Sequence, residues 1–170
     1  MLDHYNAYIG RLQSVLVPER ASEIERLALS LKDAWETKKQ VFLCGNGGSA
    51  GNAIHLANDF NYGIDKKNGM GLRVEALPAN AAVITCLAND EGYDTIFSQQ
   101  LEVKANKGDV LIVLSGSGNS PNVVKALEVG NKLEMITYAI WDFREVNVRN
   151  WRNIQSTFRS MICKSLKIYK

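Results

Sequence analysis

Val41-Phe42-Leu43-Cys44-Gly45-Asn46-Gly47-Gly48-Ser49 and Val110-Leu111-Ile112-Val113-Leu114-Ser115-Gly116-Ser117-Gly118-Asn119-Ser120 are two versions of one sentence, and their reading decides the fold. Each opens with a short apolar run, too brief for a helix and without the alternation of a half-exposed strand. That is how a strand buried on both faces reads. Each closes in a glycine- and serine-rich turn, after which helical spacing resumes. The first is followed by Ala53, Ile54, Leu56, Ala57 and Phe60; the second by Val123 to Val129, with Pro121 where a helix's first turn accepts proline. The unit recurs as a strand over Arg73 to Leu77, then Pro78 and a helix over 79–88. Tyr93 to Ala105 predicts another amphipathic helix, and Met135 to Ile140 another strand. Apolar strands alternating with helices predict an α/β protein whose parallel sheet is covered on both faces.

Two helices precede this core. Leu2, Tyr5, Tyr8, Ile9, Leu12 and Leu16 form a helical stripe over 2–16 that Pro18 stops. Ile24, Leu27, Leu31 and Trp35 repeat it over 22–36, with Ser22 as the expected N-cap and Glu25 as its capping-box partner. The 170 residues are one domain's length, and the 46% apolar and 22% charged balance excludes a disordered or low-complexity chain. Cys44, Cys86 and Cys163 are odd in number and lack a C-x-x-C pair, so they read as reduced thiols of a cytoplasmic protein, not as a zinc or disulfide framework. No apolar run reaches the roughly 18 residues of a membrane span. Met1-Leu2-Asp3-His4-Tyr5 has neither the basic nor the apolar region of a secretory leader, so none is expected.

Charge divides the chain unevenly. The whole carries a formal +2, yet residues 141–170 hold seven Lys/Arg against two Asp/Glu, two of the three tryptophans and none of the 13 glycines. The expected organisation is therefore a folded body over 1–140 and a separate tail over 141–170.

A turn joining a strand's carboxyl end to a helix start presents unpaired N–H groups and a partial positive charge, the setting that binds phosphate. Glycines at 45, 47, 48, 116 and 118 let backbone amides approach an anion, and Ser49, Ser115, Ser117 and Ser120 add hydroxyls. Either turn alone is equally an ordinary strand-to-helix connection, where glycine supplies positive φ and serine caps the helix. Two of them at strand carboxyl ends point to a phosphate site, since ligands of such sheets gather there. Gly45, Gly47 and Ala50 also fit a dinucleotide fingerprint, G-x-G-x-x-A. The acid expected about 20 residues on should end a strand, whereas Asp65 lies in the polar stretch Asp65-Lys66-Lys67-Asn68-Gly69. No lysine of the nucleotide-hydrolase type follows either turn.

Phe42 to Ser49, Ala88-Asn89-Asp90 and Leu114 to Ser120 together resemble the sugar isomerase (SIS) domain, and within it the phosphoheptose (sedoheptulose 7-phosphate) isomerase family, over about residues 1–140. The resemblance implies a three-layer, flavodoxin-like parallel sheet with two leading helices. It implies a homotetramer with sites at subunit interfaces, and ketose–aldose isomerisation of a phosphorylated sugar. It assigns the phosphate to Ser115, Gly116, Ser117 and Ser120, and the sugar to Asn46, Gly47, Gly48, Ser49, Asn89 and Asp90. His55 and Asp59, four residues apart on one helical face, read either as a surface ion pair or as acid–base groups. The resemblance makes His55 a metal ligand and puts Asp59 where relatives carry a catalytic, metal-binding glutamate. Nothing in the sequence itself requires a cofactor; a divalent metal such as zinc is what the resemblance adds.

Three departures stand out. Asp59 is one methylene shorter than glutamate, and Glu134 stands where relatives tend to have glycine. After Ile140 the family continues with a glycine-rich turn, a last strand and a helix supplying a glutamine and a second catalytic histidine, but residues 141–170 contain no histidine. One choice of codons for Ile140–Lys170, read with one extra base after Ile140, restores a Gly-Gly turn, a short strand and a D-D-x-Q-x-x-E-D-x-Q helix start. The tail is thus expected to be a shifted-frame product that leaves the sheet short of a strand and of its covering helix. The competing reading, a basic nucleic-acid-binding tail, lacks a motif: Arg144, Arg149, Arg152, Arg159, Lys164 and Lys167 are scattered, and no nucleic-acid partner is expected. Against the isomerase stands a non-catalytic SIS protein, a phosphosugar sensor or a replication-initiator-associated assembly factor.

Overall fold

The computed structural model describes residues 2–14, 21–67, 69–141 and 156–159. In chain order the elements are α1 (Leu2–Gln13), α2 (Ala21–Glu36), β1 (Val41–Gly45), α3 (Gly48–Asn58), β2 (Val74–Ala76), α4 (Ala81–Asp90), α5 (Ser98–Lys104), β3 (Val110–Ser115), α6 (Pro121–Lys132), β4 (Ile136–Trp141) and β5 (Ser156–Arg159). All five strands run parallel in the order β2-β1-β3-β4-β5, the flavodoxin-like arrangement.

The side-chain period of two distributes each strand between two cores. Phe42, Cys44, Leu111, Val113 and Ala139 face α5 and α6, where Ile96, Phe97, Leu101, Val123, Ala126 and Leu127 meet them. Val41, Leu43, Val110, Ile112 and Tyr138 face the other way, against Ala34 of α2 and Ala53 and Ala57 of α3. The result is the expected three layers. Tyr138 joins layers through its hydroxyl, which donates to the Arg26 carbonyl at 3.1 Å and pairs with Ser30 Oγ at 2.6 Å. α1 contributes no buried residue.

Helix ends depart from expectation for local reasons. α2 starts at Ala21, so Ser22 lies in its first turn and is not its cap. The expected helix over 79–88 starts at Ala81, because the Asn80 side chain accepts the Ala82 and Val83 N–H groups. The one expected over 93–105 is helical only from Ser98 to Lys104. Gly92, at φ 98°, sets a turn there that the Thr95 N–H and hydroxyl close on the Gly92 carbonyl.

The two sheet edges are treated differently. β2 turns its outward N–H and C=O at Val74 to the Asn61 amide, which accepts at 2.9 Å and donates at 2.8 Å. β4 carries β5, in register from Tyr138↔Ser156 to Trp141↔Arg159. The expectation that the tail leaves the sheet a strand short is corrected at these four residues. The free edge of β4 offers unpaired backbone groups that an extended segment satisfies. The rest of the tail beyond Trp141, with the expected missing helix, lies outside the described residues, as do the last two residues of the expected first helix and its stop at Pro18.

Glu134 sits at φ 56°, in the left-handed region that glycine occupies without strain. Its backbone closes α6 onto β4 by donating to the Asn131 carbonyl at 3.1 Å, and its carboxylate pairs with the exposed Lys107. Glu134→Gly is therefore expected to raise the urea midpoint, stabilising the fold by about 0.5–1 kcal/mol; a lowered midpoint would mean the ion pair outweighs the backbone strain.

Candidate functional site

β1 connects onward toward β2 and β3 toward β4, so the strand order reverses between these two neighbours, from Val41↔Val110 to Gly45↔Leu114. A crevice opens at such a switch point, beyond the strands' carboxyl ends. Both glycine–serine turns lie there, on the same rim. A cleft of about 450 Å³ is lined by Asn46, Tyr93, Asp94, Ser120, Pro121 and Asn122.

The turns meet at close range. A Cβ on Gly45 would stand 2.5 Å from the Leu114 carbonyl oxygen and 2.8 Å from Ser49 Cβ, so only glycine lets the end of β1, the end of β3 and the start of α3 converge. Asn46 then bonds across to Asn122 of α6, donating to Asn122 Oδ1 at 2.9 Å and accepting from Asn122 Nδ2 at 2.8 Å. The Tyr93 hydroxyl donates to Asn46 Oδ1 at 3.1 Å.

Helix starts at this rim differ from the one at α4. Gly47 precedes α3 at φ 54° and has no side chain to cap it. Ser120 precedes α6, but its hydroxyl makes no cap bond and stands 3.5 Å from Ser117 Oγ. Backbone carbonyls take part of the load, since Ser49 donates to the Asn46 carbonyl and Val123 and Val124 to that of Ser120, and Pro121 has no N–H; no side chain caps those of Gly48, Ala50 and Asn122. Buried Ser115 shapes the second turn by accepting the Gly118 N–H at 3.0 Å, and Ser117 accepts that of Asn119 at 3.3 Å. The structure accordingly brings Asn46, Gly47, Gly48, Ser49, Ser115, Gly116, Ser117 and Ser120 to one rim.

The acid–base candidates sit differently. His55 Nε2 and Asp59 Oδ2 are 3.3 Å apart, with side chains 74% and 55% exposed. They form a pair, and neither lines the cleft. Asp59 opens a π-helical turn, Asp59–Gly63, that continues α3. Asn89 donates to Asp90 Oδ1 at 2.7 Å at the end of α4, also outside the cleft wall. A zinc site takes at least three protein ligands. Among the described residues no group of three or more His, Cys, Asp and Glu gathers to hold an ion, so His55 and Asp59 make an incomplete donor set.

Sequence reading missed Tyr93, Asp94, Asn122 and Lys125. Lys125 Nζ donates to Asp94 Oδ2 at 2.5 Å, and that ammonium holds the Asp94 carboxyl below the usual range. Asn122 alone left a signal, a polar residue opening an otherwise apolar helix face beside the second turn.

A profile of the SIS domain family matches residues 4–141. The chain belongs to that family. Among its relatives are the phosphoheptose isomerase of Desulfovibrio desulfuricans, 37% identical over 75% of this chain and 60% of its own length, and phosphoheptose isomerase 2 of Campylobacter jejuni, 34% identical over 82% and 73%. Solved structures agree. A phosphoheptose isomerase from Neisseria gonorrhoeae superposes with a TM-score of 0.71 at 30% identity, covering 84% of this chain and 73% of its own. One from Francisella tularensis does so with a TM-score of 0.78 at 26% identity, covering 96% and 89%. This SIS-domain chain spans about three fifths of the length of the first curated relatives it matches. No helix among its described residues is long and apolar enough to cross a membrane.

The two described thiols differ. Burial pushes the Cys44 thiol far up, and Cys86 is raised because its Sγ lies 3.4 Å from Asp90 Oδ2 and faces that negative charge. A raised thiol pKa means less thiolate at a given pH. Asp90→Asn is therefore expected to speed alkylation of Cys86 by iodoacetamide at pH 8, followed by peptide mass spectrometry, with Cys44 unreactive in the folded protein; an unchanged Cys86 rate would show that Asp90 does not govern this thiol.

Proposed function

We propose that this chain binds a phosphorylated sugar and belongs to an enzyme for ketose–aldose isomerisation, sedoheptulose 7-phosphate to a heptose 7-phosphate. The observation that carries the reading is the pair of helix starts, without side-chain caps, on one rim at the β1/β3 switch point. In this reading Ser115, Gly116, Ser117 and Ser120 hold the phosphate through hydroxyls and the backbone amides of their turn. Asn46, Gly47, Gly48, Ser49, Asn89 and Asp90 line the sugar.

Isomerisation moves a proton between adjacent carbons through an enediol, which needs a base beside the C–H and a polarised carbonyl. Asp59 is the base in this reading, and His55, 3.3 Å away, orients it and shares its proton. A divalent metal such as zinc would take His55 Nε2 and Asp59 Oδ2 as two donors and supply carbonyl polarisation. The remaining ligands are not among the described residues, and the proton transfer is assigned to side chains alone.

Exposure of His55, Asp59 and Asp90 outside the cleft wall favours a homotetramer in which a neighbouring copy closes the site. The apolar side chains left uncovered on α1 and α2 (Leu2, Tyr5, Ile24 and Leu29) suit such packing. The reading places the protein in the cytoplasm, in keeping with the free Cys44 and Cys86, and assigns it no nucleic-acid partner. Residues 1–140 form the SIS body in this proposal, and 141–170 a shifted-frame product, which nucleotide sequencing across codons 139–143 decides.

One observation favours the second reading, a non-catalytic phosphosugar sensor or assembly factor. Residues 141–170 hold no histidine to act as the second acid–base group. Incubation with sedoheptulose 7-phosphate in heavy water separates the two. The isomerase reading expects deuterium at C2, lowered about 100-fold or more by Asp59→Asn with binding retained. Binding without exchange, in this chain and in a frame-corrected one, would establish the sensor instead.

A further inference from the structure

Asn122 lies outside both turns, in the first turn of α6, and is only 2% exposed. Its amide meets that of Asn46 head to head, each nitrogen donating to the other's oxygen. Tyr93 adds a second hydrogen bond to Asn46 Oδ1. A carboxamide oxygen accepts two hydrogen bonds, and its nitrogen carries two N–H groups. Both acceptor positions of Asn46 are therefore filled, one N–H is spent in the pair, and one N–H remains at the cleft wall. Turning this amide over alone would set oxygen against oxygen and nitrogen against nitrogen, and turning both over would forfeit the Tyr93 donation to Asn46 Oδ1. An unrestrained asparagine offers a ligand either a donor or an acceptor; this one offers a donor alone.

We propose that Asn122, assisted by Tyr93, is a positioning residue that fixes Asn46 as a hydrogen-bond donor to an oxygen lone pair of the bound phosphosugar. The proposal rests on the phosphosugar reading above. It assigns selectivity for an oxygen acceptor at this wall, such as a carbonyl, over a hydroxyl that must donate. It also explains a buried polar side chain in a helix whose neighbouring positions, Val123, Ala126 and Leu127, are apolar core. Tyr93, 57% exposed, contributes little to packing, so its hydroxyl can be removed without disturbing the fold.

The full chain is titrated calorimetrically with sedoheptulose 7-phosphate and, separately, with inorganic phosphate. Asn122→Leu keeps the side-chain shape and removes the amide. It is expected to weaken phosphosugar binding roughly tenfold while moving phosphate binding by under about twofold. Tyr93→Phe, which leaves the amide pair in place, is expected to weaken the sugar by about twofold to threefold. In wild-type protein labelled with nitrogen-15, the paired Asn46 side-chain proton is expected to exchange slowly with water, and in Asn122→Leu rapidly. A folded Asn122→Leu that binds the phosphosugar as tightly as wild type overturns the proposal. Should that variant not fold, rapid exchange of the Asn46 amide in wild type overturns it equally. Wild type that binds no phosphosugar defeats the underlying reading, and the proposal with it.

Discussion

The parallel pairing of β1 with β3 is the constraint from which the rest of the molecule follows. These strands lie side by side although a helix, a strand and two further helices separate them in the chain. Because their connections leave in opposite directions, a crevice opens beyond the turns at their carboxyl ends. The same pairing sets the register that brings Gly45 against Leu114, and hence Asn46 within reach of Asn122. A one-residue slip would exchange the two cores, since every side chain on a strand would change face. The buried runs on both faces make that slip costly, so the layer packing and the geometry of the rim are fixed together.

Polar groups at the rim are divided by role. The acceptor side of the Ser115 hydroxyl, the Asn122 amide pair and the Asn46 oxygen are spent inside the protein, on the Gly118 N–H and on one another, while the Ser115 O–H remains to donate. Ser120 and the start of α3 are not tied up by side-chain caps, in contrast to Asn80 at α4. Satisfied groups give the rim its shape; unsatisfied ones give it affinity. Asp94 would repel an anion at the cleft, and Lys125, donating to its carboxylate, neutralises that charge.

Much of this was legible in the sequence, and the reasons are physical. Strands buried on both faces must be apolar throughout, so Val41–Cys44 and Val110–Leu114 announce themselves, and glycine and serine mark the turns because few residues serve there. Helix starts were legible only to within a few residues. Asn80 and Ser22 are both good caps by type, but the backbone uses only one of them. Glu134 was visible as a departure, and its left-handed backbone gives that departure a meaning. Tyr93 was not legible, and Asn122 only as a polar residue on an apolar helix face, because periodicity reports burial and cannot say which amide a buried polar group will find across 76 residues of chain. The β5 pairing escaped for a related reason: an open edge selects for extended backbone, and composition says little about which four residues will supply it.

The Asn61 amide on β2 has a consequence for how copies of this protein can meet. It imitates the backbone of an adjoining strand, taking up the donor and acceptor that Val74 turns outward. A polypeptide arriving along that border finds Val74 already paired, so strand addition is blocked at that residue without a covering helix. Association on this side is thereby turned toward side chains on the helical layers, where shape decides the partner and the number of subunits.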